Sequence, residues 1–462
     1  MTTTSDLPVP ASSADLPPVV RRPAIPAGFK AGGLAAGIKA SGRPDLAVIV
    51  TTTGPAAAAA VFTPNAFAAA PVRLSRAHLA ATSGDARGGF GRAEAIISTS
   101  GSANAATGAA GDADQLEIGA MLAAATGVDI ERTLHLSTGI IGTRLPLERV
   151  RAGLSTLVPA LSATDEGLHE VAEALRTTDS KTKVATTAIS LPADGGESDG
   201  RTVEVTVSGV AKGVGMIHPR MATMLSVILT DADVAPETLW GMLRPAAART
   251  WDQLSVDGDT STNDTAFVLA SGASGGATVE PGTAAAALLG AAIEAIARDL
   301  ARQQAADGEG ANTLITAAVT GARDDAEARA VARSVISSSL VKAAAHGRDP
   351  NWGRIAGAAG NARLADAAVL EAAGLPPAEA AARAGTPAVL DPATLRISIA
   401  GHLVFDGGQG APVAFDRAAA REAMNAPEVV FSLDLGLGSG RGEAFGCDLT
   451  ETYVIENSEY TT

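Results

Sequence analysis

Apolar positions follow two alternating patterns along the chain, short runs and helical spacing, from Gly28 onward. The short runs, some with period-two alternation, predict strands at residues 46–51, 133–141, 202–210, 223–229 and 431–435. The helical spacing predicts helices at residues 112–126, 146–157, 236–250, 283–304 and 325–346. Because helices and strands alternate throughout, we expect an α/β fold of layered sheets and helices.

Two polar stretches interrupt this pattern. Residues 1–27 are rich in Pro, Ser and Thr and are predicted to form a disordered tail, and residues 193–200 predict an acidic hairpin loop. The N-terminus lacks the basic region and apolar core of a secretory signal, and no run of about 18 apolar residues predicts a membrane span. Cys447 is the single cysteine, which excludes an intrachain disulfide. We therefore expect a cytoplasmic protein.

Composition and charge narrow the classes of partner. Of the 462 residues, 46% are hydrophobic but only 3% are aromatic, so small aliphatic side chains must fill the core. The chain carries 35 basic and 50 acidic residues, a net charge of −15. Such a charge repels nucleic acid and anionic membranes, so we expect neither as a partner.

Histidines and acidic residues do not form a metal-binding pattern. None of the six histidines has the HxH or HExxH spacing that a catalytic zinc site needs. The acidic run at 257–264 fails as a calcium loop, because Thr262 stands where glycine is needed and Val268 where glutamate is needed. A magnesium-dependent phosphatase loop with Asp257 and Asp259 is a weak rival to the simpler interpretation, a polar loop that caps itself. We expect no metal and no cofactor.

The most informative stretch is KGVGMIHPRMATML, residues 212–225. Its glycines and proline favour a bent backbone before a buried strand that opens at Thr223. Threonine is a weak nucleophile without a base, but an N-terminal threonine carries a base in its own α-amine. Attack of the Thr223 hydroxyl on the Ala222 carbonyl would cut the chain and create that amine. From these residues alone, the simpler interpretation is an ordinary threonine in a buried strand.

This stretch and seven others, in the same order, resemble the bifunctional ornithine acetyltransferase/N-acetylglutamate synthase family, the glutamate N-acetyltransferases of arginine biosynthesis. The others are GFKAGGLAAGIKASGRPDLAVI from Gly28, STGIIGTRLP from Ser137, RTTDSK from Arg176, SVDGDTSTNDT from Ser255, DGEGAN from Asp307, HGRDPNWGRI from His346 and GCDLTETYVIENSEYTT from Gly446. The resemblance implies an α chain of residues 28–222 and a β chain of residues 223–462, intertwined in one fold with a smaller C-terminal lobe.

The resemblance also implies roles for single residues. Thr223 would be the nucleophile and the new N-terminus, after cleavage between Ala222 and Thr223. Thr138 and Gly139 would form the oxyanion hole. The substrate-binding residues would be Thr177, Lys212, Thr223, Glu309, Asn457 and Thr462. Lys212 suits a substrate carboxylate, and Glu309 suits a side-chain ammonium.

The implied reaction moves an acetyl group from N2-acetyl-L-ornithine to L-glutamate through an acetyl-threonine. The resemblance also allows acetyl-CoA as a second donor, and it implies a homo-oligomer or a dimer of α/β pairs. Alternatives from other classes are an N-terminal-nucleophile aminopeptidase, the phosphatase and a non-catalytic binding protein.

The sequence departs from the family pattern at a few positions. These are Arg220, where asparagine is common, Thr99, Ser102 and Ala106 in a stretch that is usually rich in asparagine, and Asn312 after the Glu309 segment. The nucleophile and oxyanion positions are intact. Because the departures bear on substrate choice, a paralogous acyltransferase of specialised metabolism is a further alternative.

Overall fold

The computed structural model describes residues 16–193, 200–218, 224–409 and 411–458. Its strands are β1 (Phe29–Leu34), β2 (Leu46–Thr51), β3 (Ala56–Phe62), β4 (Phe90–Ala93), β5 (Ala95–Ser102), β6 (Thr133–Ile140), β7 (Lys183–Pro192), β8 (Thr202–Lys212), β9 (Leu225–Thr230), β10 (Leu254–Ser255), β11 (Thr265–Ala270), β12 (Leu314–Ala322), β13 (Arg396–Ile399), β14 (His402–Asp406), β15 (Ala411–Pro412), β16 (Glu428–Asp434) and β17 (Gly440–Cys447). Its helices are α1 (Ala70–Ser83), α2 (Gly108–Thr126), α3 (Leu147–Leu157), α4 (Asp165–Leu175), α5 (Pro236–Arg249), α6 (Ala284–Ala306), α7 (Asp325–Ser337), α8 (Ser339–His346), α9 (Trp352–Gly360), α10 (Ala367–Ala372), α11 (Pro377–Arg383), α12 (Arg417–Ala423) and α13 (Glu451–Ser458). This alternation confirms the predicted α/β fold.

Two of the sheets share a core. One has the strand order β1-β2-β5-β6 and the other β4-β3-β11-β9-β8-β7. Ala58 and Phe62 of β3 pack into the core between the sheets, while Ala57 and Val61 pack with residues of α5 and α6, as the two-residue period of a strand requires. Helices α2 and α3 cover the outer face of the four-stranded sheet. The result is a layered arrangement of two sheets between helices.

The third sheet forms the C-terminal lobe that the sequence predicted. Its strand order is β10-β17-β12-β16-β13-β14-β15. Residues of α7, such as Val331 and Val335, pack against Ile315 of β12 and Phe431 of β16 in a separate hydrophobic core. Helix α13 follows this sheet, so the lobe carries the last described segment of the chain.

In the six-stranded sheet, the two strands that follow the predicted cleavage point, β9 and β11, lie between strands that precede it. Strand β8 pairs antiparallel with β9, with Lys212 opposite Leu225. Strand β9 pairs parallel with β11, which in turn pairs antiparallel with β3. Segments that precede and follow residue 222 are therefore interleaved by backbone hydrogen bonds.

The predicted helix at 325–346 is two helices, α7 and α8, which meet at Ser338. Ser338 has an extended backbone, with ψ of 113°, and its hydroxyl accepts a hydrogen bond from the Val341 N–H. Three serines in a row, 337–339, cause the break, because serine side chains compete with the helical backbone for hydrogen bonds.

Residues 16–27 contact the folded chain, which differs from the disorder predicted for this part of the tail. Val20 and Thr186 exchange backbone hydrogen bonds of 2.9 and 2.8 Å, and Arg21 pairs with Asp299 at 2.9 Å. The reason is that β7 is an edge strand of its sheet, and an edge strand offers unpaired backbone groups to an extended segment.

The other predicted helices and strands differ from the observed ones only at their ends, or include residues that the structure does not describe. The hairpin of β7 and β8 is confirmed by pairing that reaches Pro192 and Thr202, although residues 194–199 lie outside the described residues. Within the described ranges, no helix combines the length and hydrophobicity of a membrane span.

Candidate active site

The predicted site residues that the structure describes line one cavity of about 400 Å³. They are Thr138, Gly139, Thr177, Lys212, Glu309 and Asn457. They come from β6, β8, α13 and the segments after α4 and α6, so tertiary folding brings them together. Ala222, Thr223 and Thr462 lie outside the described residues.

The predicted oxyanion turn ends strand β6, which pairs in parallel with β5. Gly139 has a φ of +127°, and a Cβ on it would lie 2.4 Å from the carbonyl carbon of Gly101. Any other residue would strike the β5 backbone, so glycine is required. This close approach of two strands holds Thr138 and Gly139 rigidly in the cavity wall, as a preorganised oxyanion hole needs.

Lys212 supports the Thr138 side chain. Its Nζ donates a hydrogen bond to Thr138 Oγ1 at 3.2 Å, and Lys212 is only 9% exposed. Because the hydroxyl oxygen accepts this bond, its own proton is left to donate to another oxygen in the cavity. Burial lowers the pKa of Lys212, although the nearby carboxylate of Asp179 acts in the opposite direction.

Glu309 is held in one orientation at another wall of the cavity. Its Oε1 accepts a hydrogen bond from Thr178 Oγ1 at 2.9 Å, and its Oε2 accepts one from Asn457 Nδ2 at 2.8 Å. A Cβ at residue 215 would lie 2.2 Å from Oε2, so Gly215 makes room for the carboxylate. Each oxygen keeps a further lone pair, and the carboxylate can therefore bind a ligand cation without moving.

A recess of about 30 Å³ adjoins the cavity, since Thr138 and Lys212 line both. Met224 and Leu225, the first described residues after the predicted cleavage point, line this recess. Leu225 also pairs with Lys212 across the β8–β9 register. The strand that begins after the predicted cleavage point therefore starts beside Thr138 and Lys212.

Comparison with known proteins identifies the family of this chain. The ArgJ family matches residues 30–462. The chain belongs to the ArgJ family. The "Arginine biosynthesis bifunctional protein ArgJ" of Thermosynechococcus vestitus is 46% identical over 94% of this chain and 96% of its own length. The protein of the same name from Thermus thermophilus is 40% identical over 95% of this chain and 99% of its own length.

Two solved ArgJ-family structures are also similar to parts of the chain. Arginine biosynthesis bifunctional protein ArgJ from Bacillus halodurans is 36% identical and covers 51% of this chain and 99% of its own, with a TM-score of 0.44. Ornithine acetyltransferase from Mycobacterium tuberculosis, complexed with ornithine, is 37% identical and covers 44% and 99%, with a TM-score of 0.38.

The ArgJ assignment confirms the family resemblance in the sequence, and with it the expectation of an acetyltransferase enzyme. The family assignment does not establish where in the cell the protein is located. A relative from Ricinus communis, 42% identical over 94% of this chain and 85% of its own length, is named chloroplastic. The cytoplasmic location of this ArgJ protein stays a prediction.

Asp179 joins two walls of the active-site cavity, and the sequence analysis gave this residue no role. Its Oδ1 accepts hydrogen bonds from the Gly213 N–H at 2.8 Å and from Lys183 Nζ at 2.7 Å, while its Oδ2 accepts one from the Thr177 N–H at 3.0 Å. Burial would raise the pKa of this carboxyl, but Lys183 and Lys212 outweigh it and hold the pKa well below its usual range. Asp179 therefore stays ionised and links Thr177 to the residue after Lys212.

Asn263, to which the sequence analysis gave no role, holds the predicted oxyanion turn through its side-chain amide. Its Nδ2 donates to the carbonyls of Ser137, at 2.8 Å, and Ala103, at 2.6 Å. Its Oδ1 accepts a hydrogen bond from Thr262 Oγ1 at 2.7 Å. Asn263 is 6% exposed, and it thus connects the residue before Thr138 to the segment that follows β5.

The acidic loop at 257–264 caps itself and its neighbour, as the simpler interpretation predicted. The Asp257 carboxylate accepts hydrogen bonds from the backbone N–H groups of Ile217, at 2.8 Å, and Asp259, at 3.2 Å, and also from Met216. It therefore fixes the backbone at Met216 and Ile217, a few residues before the predicted cleavage point. In the described part of the chain, no three His, Cys, Asp or Glu side chains converge as a metal site requires.

Of the residues that depart from the family pattern, the four that the structure describes do not line the cavity. Thr99 Oγ1 and Ser137 Oγ are 2.5 Å apart, and the Ser102 hydroxyl donates to the Thr143 carbonyl at 2.7 Å. Ala106 has a φ of +55°, and the Asn312 N–H donates to Asp448 at 2.8 Å. Arg220 lies outside the described residues.

Proposed function

We propose that this ArgJ protein transfers an acetyl group from N2-acetyl-L-ornithine to L-glutamate, with Thr223 as the nucleophile after cleavage of the Ala222–Thr223 bond. The observation that carries the proposal is the convergence of Thr138, Gly139 and Lys212 on one cavity, beside the strand that starts after Thr223. The relatives named for arginine biosynthesis support this choice of substrates.

Self-cleavage needs no reagent but water. The Thr223 hydroxyl adds to the Ala222 carbonyl, the C–N bond breaks, and an ester forms as the nitrogen gains the hydroxyl proton. Water then hydrolyses the ester, which leaves a carboxylate on Ala222 and a free amine and hydroxyl on Thr223. The pairing of β8 with β9 keeps the two chains together after the cut.

Acetyl transfer then proceeds in two balanced half-reactions. The Thr223 Oγ attacks the acetyl carbonyl of acetylornithine while the α-amine accepts its proton, and the C–N bond breaks as ornithine takes that proton. The amine of glutamate attacks the resulting ester, the C–O bond breaks, and the proton returns to Thr223. Amide is exchanged for amide, so the reaction needs no energy source.

The cavity supplies what both tetrahedral intermediates need. Thr138 Oγ1, whose lone pair is occupied by Lys212, has a proton for the oxyanion, and the backbone N–H of Gly139 provides the second donor in this proposal. Removing one such donor typically costs about 10²–10³-fold in rate. The Glu309 carboxylate, fixed by Thr178 and Asn457, would bind the side-chain ammonium of ornithine.

Mass spectrometry tests the proposal directly. Denatured wild-type protein should separate into chains of residues 1–222 and 223–462, and acetylornithine alone should add one acetyl group to the second chain. Thr223→Ala should remain a single unacetylated chain, whereas Thr223→Ser keeps a hydroxyl and should retain some cleavage. Acetyl on the first chain, or full activity of an uncut protein, would show that the nucleophile is wrong.

Substrate assays separate the proposed activity from its alternatives. Release of ornithine beyond one equivalent per chain only when glutamate is present indicates transfer, whereas release of amino acids from peptides would indicate an aminopeptidase. Acetyl-CoA in place of acetylornithine tests for the second donor. A panel of other amines as acceptors tests for a paralogous acyltransferase.

A further inference from the structure

A second cavity, of about 670 Å³, lies against one face of helix α7 in the C-terminal lobe. Arg333 and Ser337 of α7 line it, and Arg329 lines a smaller recess of about 40 Å³ that shares Arg333 with the cavity. These three residues are spaced four apart, so they form one stripe along the helix. Arg363, from the segment after α9, lines both spaces. We call these two spaces the arginine cavity.

Two polar side chains of the arginine cavity, Arg329 and Ser337, have no hydrogen-bond partner within the described ranges. Arg329 is 8% exposed and makes no hydrogen bond or ion pair with the described parts of the chain. The Ser337 hydroxyl is buried and also has no partner there. Burial lowers the pKa of Arg329, against the opposite effect of Asp325. A buried guanidinium without a partner is costly, and a bound anion would remove that cost.

The charge of the arginine cavity is opposite to that of the whole protein. Its one lining carboxylate among the described residues, Asp366, already accepts a hydrogen bond from the Val369 N–H at 3.0 Å at the start of α10. The Arg363 guanidinium donates to the Gly385 carbonyl at 3.1 Å and has no carboxylate partner in the described ranges. Three guanidinium groups thus converge on a cavity of a chain whose net charge is −15.

We propose that the arginine cavity binds a small ligand that carries at least two phosphate or carboxylate groups, through Arg329, Arg333 and Arg363. A volume of about 670 Å³ lies in the range of small-molecule sites. The planar guanidinium fork suits the oxygens of either group. Among the described residues, the two linings share none, so the arginine cavity is a site separate from the active-site cavity.

The arginine cavity is nevertheless connected to the active site through the chain. His218 lines the arginine cavity, and Met216, two residues earlier, lines the active-site cavity. The His218 carbonyl accepts a hydrogen bond from Thr260 Oγ1 at 2.8 Å. A ligand in the arginine cavity would therefore contact the segment that leads to the predicted cleavage point.

Calorimetry on the purified full-length protein tests the site. Pyrophosphate and citrate are titrated separately at constant ionic strength, because screening changes with salt. We expect one bound anion per chain, and affinity at least about tenfold weaker in Arg363→Gln and in Arg333→Gln, since each loses charge-assisted hydrogen bonds. Arg363 is exposed, so its variant should fold normally. Arg421→Gln removes the same charge from an exposed position on α12 and should bind like wild type.

Each outcome decides the proposal, and none depends on acetyl transfer. Binding of pyrophosphate alone indicates a phosphorylated ligand, and binding of citrate alone indicates a carboxylate ligand. The proposal is wrong if neither anion binds, if Arg363→Gln binds as tightly as wild type, or if Arg421→Gln weakens binding equally. Thermal unfolding of every variant checks that it is folded. If Arg333→Gln is not folded, the affinity of Arg363→Gln alone decides whether the proposal holds.

Discussion

Replacement of Asp179 by asparagine should separate the two walls of the active-site cavity. The carboxylate accepts hydrogen bonds from Gly213, Thr177 and Lys183, and it is 2% exposed. An asparagine side chain has only one acceptor oxygen, so its amide N–H groups would face at least one of these donors. Lys183 would keep a single carboxylate partner, Asp307 at 2.6 Å.

The expected magnitudes follow from this geometry. Breaking a buried ion pair by removing one partner costs about 3–5 kcal/mol, and we expect the lower end because Asp307 remains. The free energy of unfolding of Asp179→Asn should therefore fall by about 3 kcal/mol. If Thr177 and Gly213 move by about 1 Å, acetyl transfer should slow by on the order of 10²-fold.

The assay combines urea unfolding with steady-state kinetics. Glu428→Gln is the matched control, because Glu428 of β16 is also buried and forms a pair with Arg302 of α6 at 2.7 Å, and neither residue lines the active-site cavity. It should lose comparable stability and keep its transfer rate. Asp179→Asn should raise KM, through Thr177, and lower kcat, through the Lys212–Gly213 turn.

Two results would refute this reasoning. Equal loss of transfer in Asp179→Asn and Glu428→Gln would mean that lower stability alone explains the effect. Wild-type kinetics in a destabilised Asp179→Asn protein would mean that the links to Thr177 and Gly213 do not position the site.

Two further predictions concern Thr138 and the buried His135. Thr138→Ala should lower the acetyl-transfer rate by about 10²–10³-fold. Thr138→Ser keeps the hydroxyl, and its rate should stay within about tenfold of the wild-type rate. Equal rates in both variants would show that the hydroxyl is not part of the oxyanion hole. Burial, with His78 as a secondary cause, lowers the pKa of His135 to about 3, so the unfolded chain binds more protons below pH 6.5. Its contribution to stability is present above pH 6.5 and declines by up to about 1.4 kcal/mol per unit as pH falls toward 3. The free energy of unfolding, measured in urea at pH 7, 6 and 5, should depend less steeply on pH in His135→Gln than in wild type or His402→Gln. Parallel profiles would contradict the assignment of this pH dependence to His135.

The sequence alone determined the features that depend on neighbouring residues. Helices α5 and α6 lie within two residues of their predicted ends, because helical periodicity is a local property. The Ser-Thr-Gly order at 137–139 indicated a glycine turn at the end of a strand, and Gly139 has a φ of +127°, which favours glycine; its role as the oxyanion hole stays a prediction. Eight ordered segments indicated the family, and the match to the ArgJ family confirms that prediction.

Only the tertiary structure decided which distant residues meet. Asp179 lies 34 residues from Gly213, and Asn263 lies 126 residues from Ser137, so no local pattern could pair them. The pairing of Val20 with Thr186 likewise depends on β7 being an edge strand, which is a property of the assembled sheet. Buried polar groups must find partners wherever folding brings the chain together, and those partners are set by three-dimensional proximity.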